Sequence, residues 1–234
     1  WQGTSALTSF PSGAKLGTSA QNVNFDSAWR SSGLTSLPAL DLSSGSTFFN
    51  AFRSTQITTI ESGVLLGTAS ASANVNFQNA FRDTPLTSLP EDFNLSKGKY
   101  FTSTWNGCSS LTSFKTPLPL VTNASYAWYN CSSLTDFSAD VFSNWNPSSI
   151  ADGIFHRTWE GCTSLTAQSV ENILTSIDAS GHYATTNKVS GGTPLGDAGI
   201  DIDYNVATGS LSAATNTAIR SLDTKGWEVY INSE

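Results

Sequence analysis

Methionine is absent from this 234-residue chain, histidine occurs twice, cysteine three times, and charged side chains make up 12% of it. Each shortage excludes something. The two imidazoles, His156 and His182, lie in neither a His-Glu-x-x-His nor a nucleophile-elbow setting. Three cysteines are an odd number and have no histidine at a repeating distance, so they supply no zinc-ligand set. Acidic pairs such as Glu91-Asp92 have no partner at a glycosidase-like spacing, and no phosphate-binding loop is present. The chain therefore reads as a non-enzyme, with no cofactor expected.

Long apolar runs are missing too. Nothing approaches the roughly 18 continuous apolar residues of a membrane span, so no membrane insertion is expected. The net charge of −7 comes without a Lys/Arg stripe to neutralise phosphates, which argues against nucleic acid as a partner. With charge at about half the usual share, the surface must be built from Ser, Thr, Asn and Gly. Such a surface suits hydrogen bonding to neutral ligands such as glycans.

What the chain does have is a repeat. Trp105-Asn106-Gly107-Cys108-Ser109-Ser110-Leu111-Thr112-Ser113-Phe114 returns as Trp128-Tyr129-Asn130-Cys131-Ser132-Ser133-Leu134-Thr135-Asp136-Phe137, and again from Trp159 to Thr166. Earlier copies pair Trp29 with Leu34, Phe52 with Ile57 and Phe81 with Leu86, five residues apart instead of six. Leu7-Thr8-Ser9-Phe10 reads as the tail of a copy lacking its front half, which, with the absence of Met, suggests a fragment or processed product. Units this small cannot bury their own apolar faces, so they must stack. Uneven spacing assigns insertions to surface loops such as Glu61 to Asn76 and Asp140 to Gly153.

Within a unit, aromatic pairs four apart (Phe25 and Trp29, Phe48 and Phe52, Phe77 and Phe81, Phe101 and Trp105, Phe155 and Trp159) predict a short helical turn with both rings on one face. Ala124 leaves a gap in the first of these positions. Leu-Thr-Ser-Leu or its Phe variant then predicts a short strand, closed off by Pro38, Pro90 or Pro117. The expected fold is an α/β solenoid with a parallel sheet on one face and short helical turns on the other, over residues 1–165. Residues 166–234 read as a C-terminal αβ cap: a helix capped by Thr166, with Val170, Ile173, Leu174 and Ile177 on one side and Gly181 as its stop. A polar loop from His182 to Ala198, a strand at Ile200 to Tyr204, a helix near Ala213 to Thr224 and a strand at Trp227 to Ile231 follow.

The aromatic-x-x-Cys-x-x-Leu-x-x-Phe signature resembles the BspA-like leucine-rich repeats of bacterial surface proteins, over about Leu7 to Leu165. Its dialect, with Asp41-Leu42-Ser43-Ser44-Gly45 and Leu165 to Leu174, also looks like repeat proteins of marine phages and their bacterial hosts. The resemblance implies a leucine-rich-repeat solenoid used for attachment on a virion or cell surface. The expected partner is a cell-surface glycan or protein; the alternative reading is a structural spacer or assembly component that packs against sister subunits of a larger particle. The chain departs from the pattern in lacking Met and in placing Ser32, Thr55 and Thr84 where Cys108, Cys131 and Cys162 stand later.

That interchange of Cys, Ser and Thr marks a small, buried, slightly polar place, hence a ladder of free thiols, although a Cys108 to Cys131 disulfide is geometrically conceivable. The aromatic column is read as core. Strand alternation turns Ser36, Thr59, Glu61, Ser88, Ser113, Lys115, Asp136 and Ser138 outward as the ligand-binding residues. Asp197, Asp201 and Asp203 are a weak calcium signal, and the triplets at Asn94, Asn123 and Asn130 match the glycosylation pattern by composition.

Overall fold

A computed structural model of the chain describes residues 1–18, 20–70, 74–151, 153–184 and 199–232. In chain order the regular elements are β1 (Val23–Asn24), β2 (Ser36–Leu37), β3 (Asp41–Leu42), β4 (Gly45–Thr47), β5 (Thr59–Ile60), β6 (Leu65–Leu66), β7 (Val75–Asn76), β8 (Gly98–Tyr100), β9 (Ser113–Phe114), β10 (Asp136–Phe137), α1 (Ala167–Ala179), β11 (Gly199–Ile202), α2 (Ala213–Thr224) and β12 (Glu228–Ile231). Among the described residues, no helix is long and apolar enough to cross a membrane.

Among the described residues every strand pairing is parallel, and up to β10 the pairs join equivalent positions of successive copies. The Leu-Thr-Ser-Leu segments give β2 with β5 and β9 with β10, in the registers Ser36↔Thr59 and Ser113↔Asp136. A second line pairs β3 with β6. The widest sheet is a third, ordered β1-β4-β7-β8, and it lies just before the aromatic segments instead of on the Leu-Thr-Ser-Leu strands.

The segments carrying the paired aromatics are not helical turns. Their N–H groups alternate in direction. Phe25, Ser27, Trp29 and Ser31 donate to the next copy (Thr47, Phe49, Ala51 and Arg53 carbonyls), while Ala28, Arg30 and Ser32 donate back three residues within their own copy. An α-helix would need every N–H to reach four residues back and would leave none for a neighbour. The geometry is secured by two left-handed residues per copy, such as Ser27 and Ser31, Asn50 and Ser54, Asn79 and Asp83, or Arg157 and Gly161, with φ between 50° and 78°. Gly, Asn and Asp tolerate that region best, which explains Asn50, Asn79, Asp83, Asn130, Gly107 and Gly161, while the serines are merely small. Asn24 and Asn76 open the ribbon by accepting the N–H groups of Asp26 and Gln78.

Residues four apart still share a face in this ribbon, so the aromatics form two columns. Phe25, Phe48, Phe77 and Phe101 stack at 5.3 to 5.4 Å. Trp29, Phe52 and Phe81 stack at 5.2 Å, and Trp105, Trp128 and Trp159 at 5.2 and 5.7 Å. Trp1 extends the second column, lying 6.1 Å from Trp29 and 7° from parallel, so the copy that holds Leu7-Thr8-Ser9-Phe10 also holds an aromatic of this column. Gly3 has the positive φ of Gly107 and Gly161, as its place in that copy requires.

The insertions are not merely surface loops. Val64, Leu66 and Val75 of the first are buried, as are Val141, Phe142 and Trp145 of the second. Phe142 and Trp145 pack on Phe155 at 5.4 and 5.3 Å, and Trp145 Nε1 donates to the Val121 carbonyl, 2.8 Å away. Here the extra chain fills core beside the Ala124 copy.

At the other end, α1 is capped by Thr166, whose hydroxyl accepts from Ser169 N, and it buries Val170, Ile173, Leu174 and Ile177. Its first turn also closes a strand edge. Ser169 Oγ donates to the Thr135 carbonyl and accepts from Phe137 N, and Asn172 Nδ2 donates to the Phe137 carbonyl. Strand β11 pairs with β12, and the Trp159↔Ile202 bridge sets it directly against the last aromatic copy. Of the loop expected from His182 to Ala198, residues 185–198 lie outside the described residues.

Candidate binding face

The face is built from the Leu anchors outward. Leu34, Ile57, Leu86, Leu111, Leu134 and Leu165 are fully buried, and the residue after each is a threonine. Thr35, Thr58, Thr87, Thr112 and Thr135 are exposed and aligned copy to copy. Each uses two donors on one acceptor: its N–H and its Oγ1 both donate to the carbonyl of the preceding threonine. For Thr87 onto Thr58 these contacts are 3.1 and 3.0 Å, and for Thr135 onto Thr112 both are 3.0 Å. Thr35, Thr58 and Thr112 repeat the pattern at 3.2 to 3.3 Å. With its proton committed, each hydroxyl presents free lone pairs beside its methyl group.

The residues singled out from sequence flank this threonine line, and their surroundings differ. Thr59, Glu61, Ser88 and Lys115 are exposed; Ser36, Ser113, Asp136 and Ser138 are half-buried. Lys115 Nζ pairs with Asp136 Oδ2 at 3.0 Å, so those charges neutralise each other across adjacent copies. Ser138 is occupied locally, accepting from Asp140 N and capping the short turn Ala139–Val141. Beside Glu61, Ser62 Oγ and Gly63 N hold Asp92 Oδ2 at 2.7 and 2.8 Å, which keeps the Asp92 carboxyl below its ordinary range. The aligned threonines are absent from the alternation-based set. Strict alternation fails because Leu34 and Leu37 both point inward, leaving Thr35 and Ser36 side by side on the outside.

Other candidate side chains are engaged within the fold. Asp201 Oδ2 accepts from Arg157 N at 2.6 Å and Asp203 Oδ2 from Gly161 N at 2.7 Å, while Asp197 lies outside the described residues. Among the described residues no His/Cys/Asp/Glu group could hold a metal ion. Asn94 and Asn123 accept backbone N–H groups two residues on. The three cysteines are free and buried, and the thiols of Cys108, Cys131 and Cys162 each donate to the aromatic carbonyl one copy back, at 3.1, 3.2 and 3.0 Å. His156 Nε2 is 3.1 Å from Tyr126 Oη, and the Arg157 guanidinium, bonded to Glu160, lies over Tyr126 and Tyr129. No protein-family model, curated protein or solved structure matches the chain.

Proposed function

We propose that the chain is a non-enzymatic binding module: a leucine-rich-repeat-type solenoid, exposed on a virion or cell surface, that holds a neutral, hydroxyl-rich ligand such as a glycan along the Thr35-Thr58-Thr87-Thr112-Thr135 line. The observation that carries this reading is the alignment of those five side chains, with every hydroxyl proton directed into the fold. Lone pairs and methyl groups remain, repeated at about the 4.8 Å spacing of neighbouring strands. Sugar hydroxyls are donors and sugar C–H faces are apolar, so such a ligand meets complementary atoms on each copy. Ser36, Thr59, Ser88 and Ser113 add hydroxyls beside the line, and the Lys115–Asp136 pair marks one end of its neutral stretch.

Glycan-array and whole-cell binding with the full chain test this. The wild type is expected to bind, and a Thr58→Val/Thr87→Val/Thr112→Val variant, matched in volume but without the hydroxyls, is expected to lose about tenfold or more in affinity. Near-UV circular dichroism of the stacked indoles checks that the variant is folded. Binding unchanged by the three valines would remove this face from consideration.

A further inference from the structure

The residue after each aromatic of the Trp29 column is an arginine in three consecutive copies: Arg30 after Trp29, Arg53 after Phe52 and Arg82 after Phe81. The rings beneath them are 5.2 Å apart, and Ser31 N to Arg53 O and Ser54 N to Arg82 O, both 2.8 Å, lock the backbones in register. Three of the chain's five arginines thus stand in one line, in a protein of net charge −7. Later copies place Asn106, Tyr129 and Glu160 there, so the position does not itself demand a cation. Among the described residues the acid beside the line is Asp83, 3.7 Å from Arg53 Nε and 3.4 Å from Arg82 Nε. That one carboxylate is shared by two of the three guanidinium groups. The Nε atoms of Arg53 and Arg82 are also buried without a hydrogen-bond acceptor, while their side chains as a whole keep 26% and 34% exposure.

We infer that the Arg30-Arg53-Arg82 line is a second binding site, one that takes a linear anionic glycan carrying carboxylate or sulfate groups. This goes beyond the neutral-ligand face and uses none of its residues. Guanidinium groups bind such anions in a two-pronged fashion, and the fixed spacing between copies selects a polymer with regularly placed charges. Nucleic acid fits less well. Three cations engage few phosphates, and the remaining surface is acidic, whereas nucleic-acid binding draws on many neutralised phosphates. An anion would offset the charge excess through the parts of these guanidinium groups that remain exposed.

The test is affinity electrophoresis of the full chain in polygalacturonate, in dextran sulfate and in neutral dextran, with single-stranded DNA as competitor. Retardation by one or both anionic polymers and not by dextran is expected, weakened about tenfold or more in Arg53→Gln/Arg82→Gln. Arg53→Lys/Arg82→Lys, which keeps the charge without the planar fork, should fall between. Arg220→Gln, on α2, and the three-valine variant of the threonine line should bind as wild type. Equal retardation of wild type and Arg53→Gln/Arg82→Gln, loss of binding in the three-valine variant, or DNA outcompeting both glycans would each overturn the assignment.

Discussion

Phe101 lays its ring across the bare Cα of Gly98, so close that a Cβ there would fall 2.2 Å from the ring's Cζ. Gly45 stands in the same relation to Phe48, at 2.3 Å. The next copy reverses both residues, with Val121 and Ala124 in the two places, each fully buried. Gly98→Ala should therefore destabilise by about 1–3 kcal/mol through overpacking. Adding Phe101→Ala should recover part of that loss, and chemical denaturation of the double-mutant cycle measures the coupling.

This exchange shows where the chain could be read directly and where it could not. The Leu anchors and the Trp column were legible because large apolar side chains recurring in register must be covered. The turn ribbon was not, since aromatics four apart satisfy a helix and a double turn alike. The distinguishing signal was the Ser, Asn, Asp or Gly two residues after every paired aromatic but Phe155, as at Ser27, Ser31, Asn50 and Ser54, where φ is positive. Trp1 was missed because Thr4 stands in the place of Cys108, although Trp1-Gln2-Gly3-Thr4-Ser5-Ala6-Leu7 otherwise matches the later copies. The threonine line escaped because an anchor at each end of a four-residue segment defeats period-2 reasoning.

Trp128 lies between Trp105 and Trp159, and its indole N–H is buried without a hydrogen-bond partner among the described residues. Trp128→Ala should cost about 3–5 kcal/mol by opening a cavity in the column. Trp128→Phe should cost much less, because Phe52 and Phe81 already fill this place and the substitution removes an unsatisfied donor. Urea unfolding followed by tryptophan fluorescence distinguishes the two; equal losses would mean that ring identity, not ring stacking, governs the column.

Burial pushes the Cys108 thiol up from its ordinary 9.0 to about 11, and burial also raises Cys131. The folded thiol keeps its proton where the unfolded chain loses it. Its contribution to stability is thus complete below about pH 9 and falls away as pH rises toward about 11. Cys108→Ser should flatten the decline in denaturation midpoint across that window. In the native chain at neutral pH, alkylation by iodoacetamide should proceed only as fast as the core opens.

Copies that are followed by another hand their turn N–H groups to its carbonyls, as Tyr126 N does to His156 O and Asn130 N to Glu160 O, both at 2.9 Å. In the last copy the equivalent groups, Arg157 N and Gly161 N, meet the carboxylates of Asp201 and Asp203 on and just after β11. Side chains of the cap thus stand in for a missing neighbour. Removing one acceptor leaves a donor unsatisfied at the end of the aromatic column. Asp203→Ala should cost about 1–3 kcal/mol, and Asp203→Asn, which keeps an oxygen in place, should cost less. Amide exchange is the sharper readout: Gly161 N–H should exchange faster in Asp203→Ala while Asn130 N–H, one copy inward, keeps its protection. Uniform acceleration of both would show that the cap holds the column only through its apolar contacts.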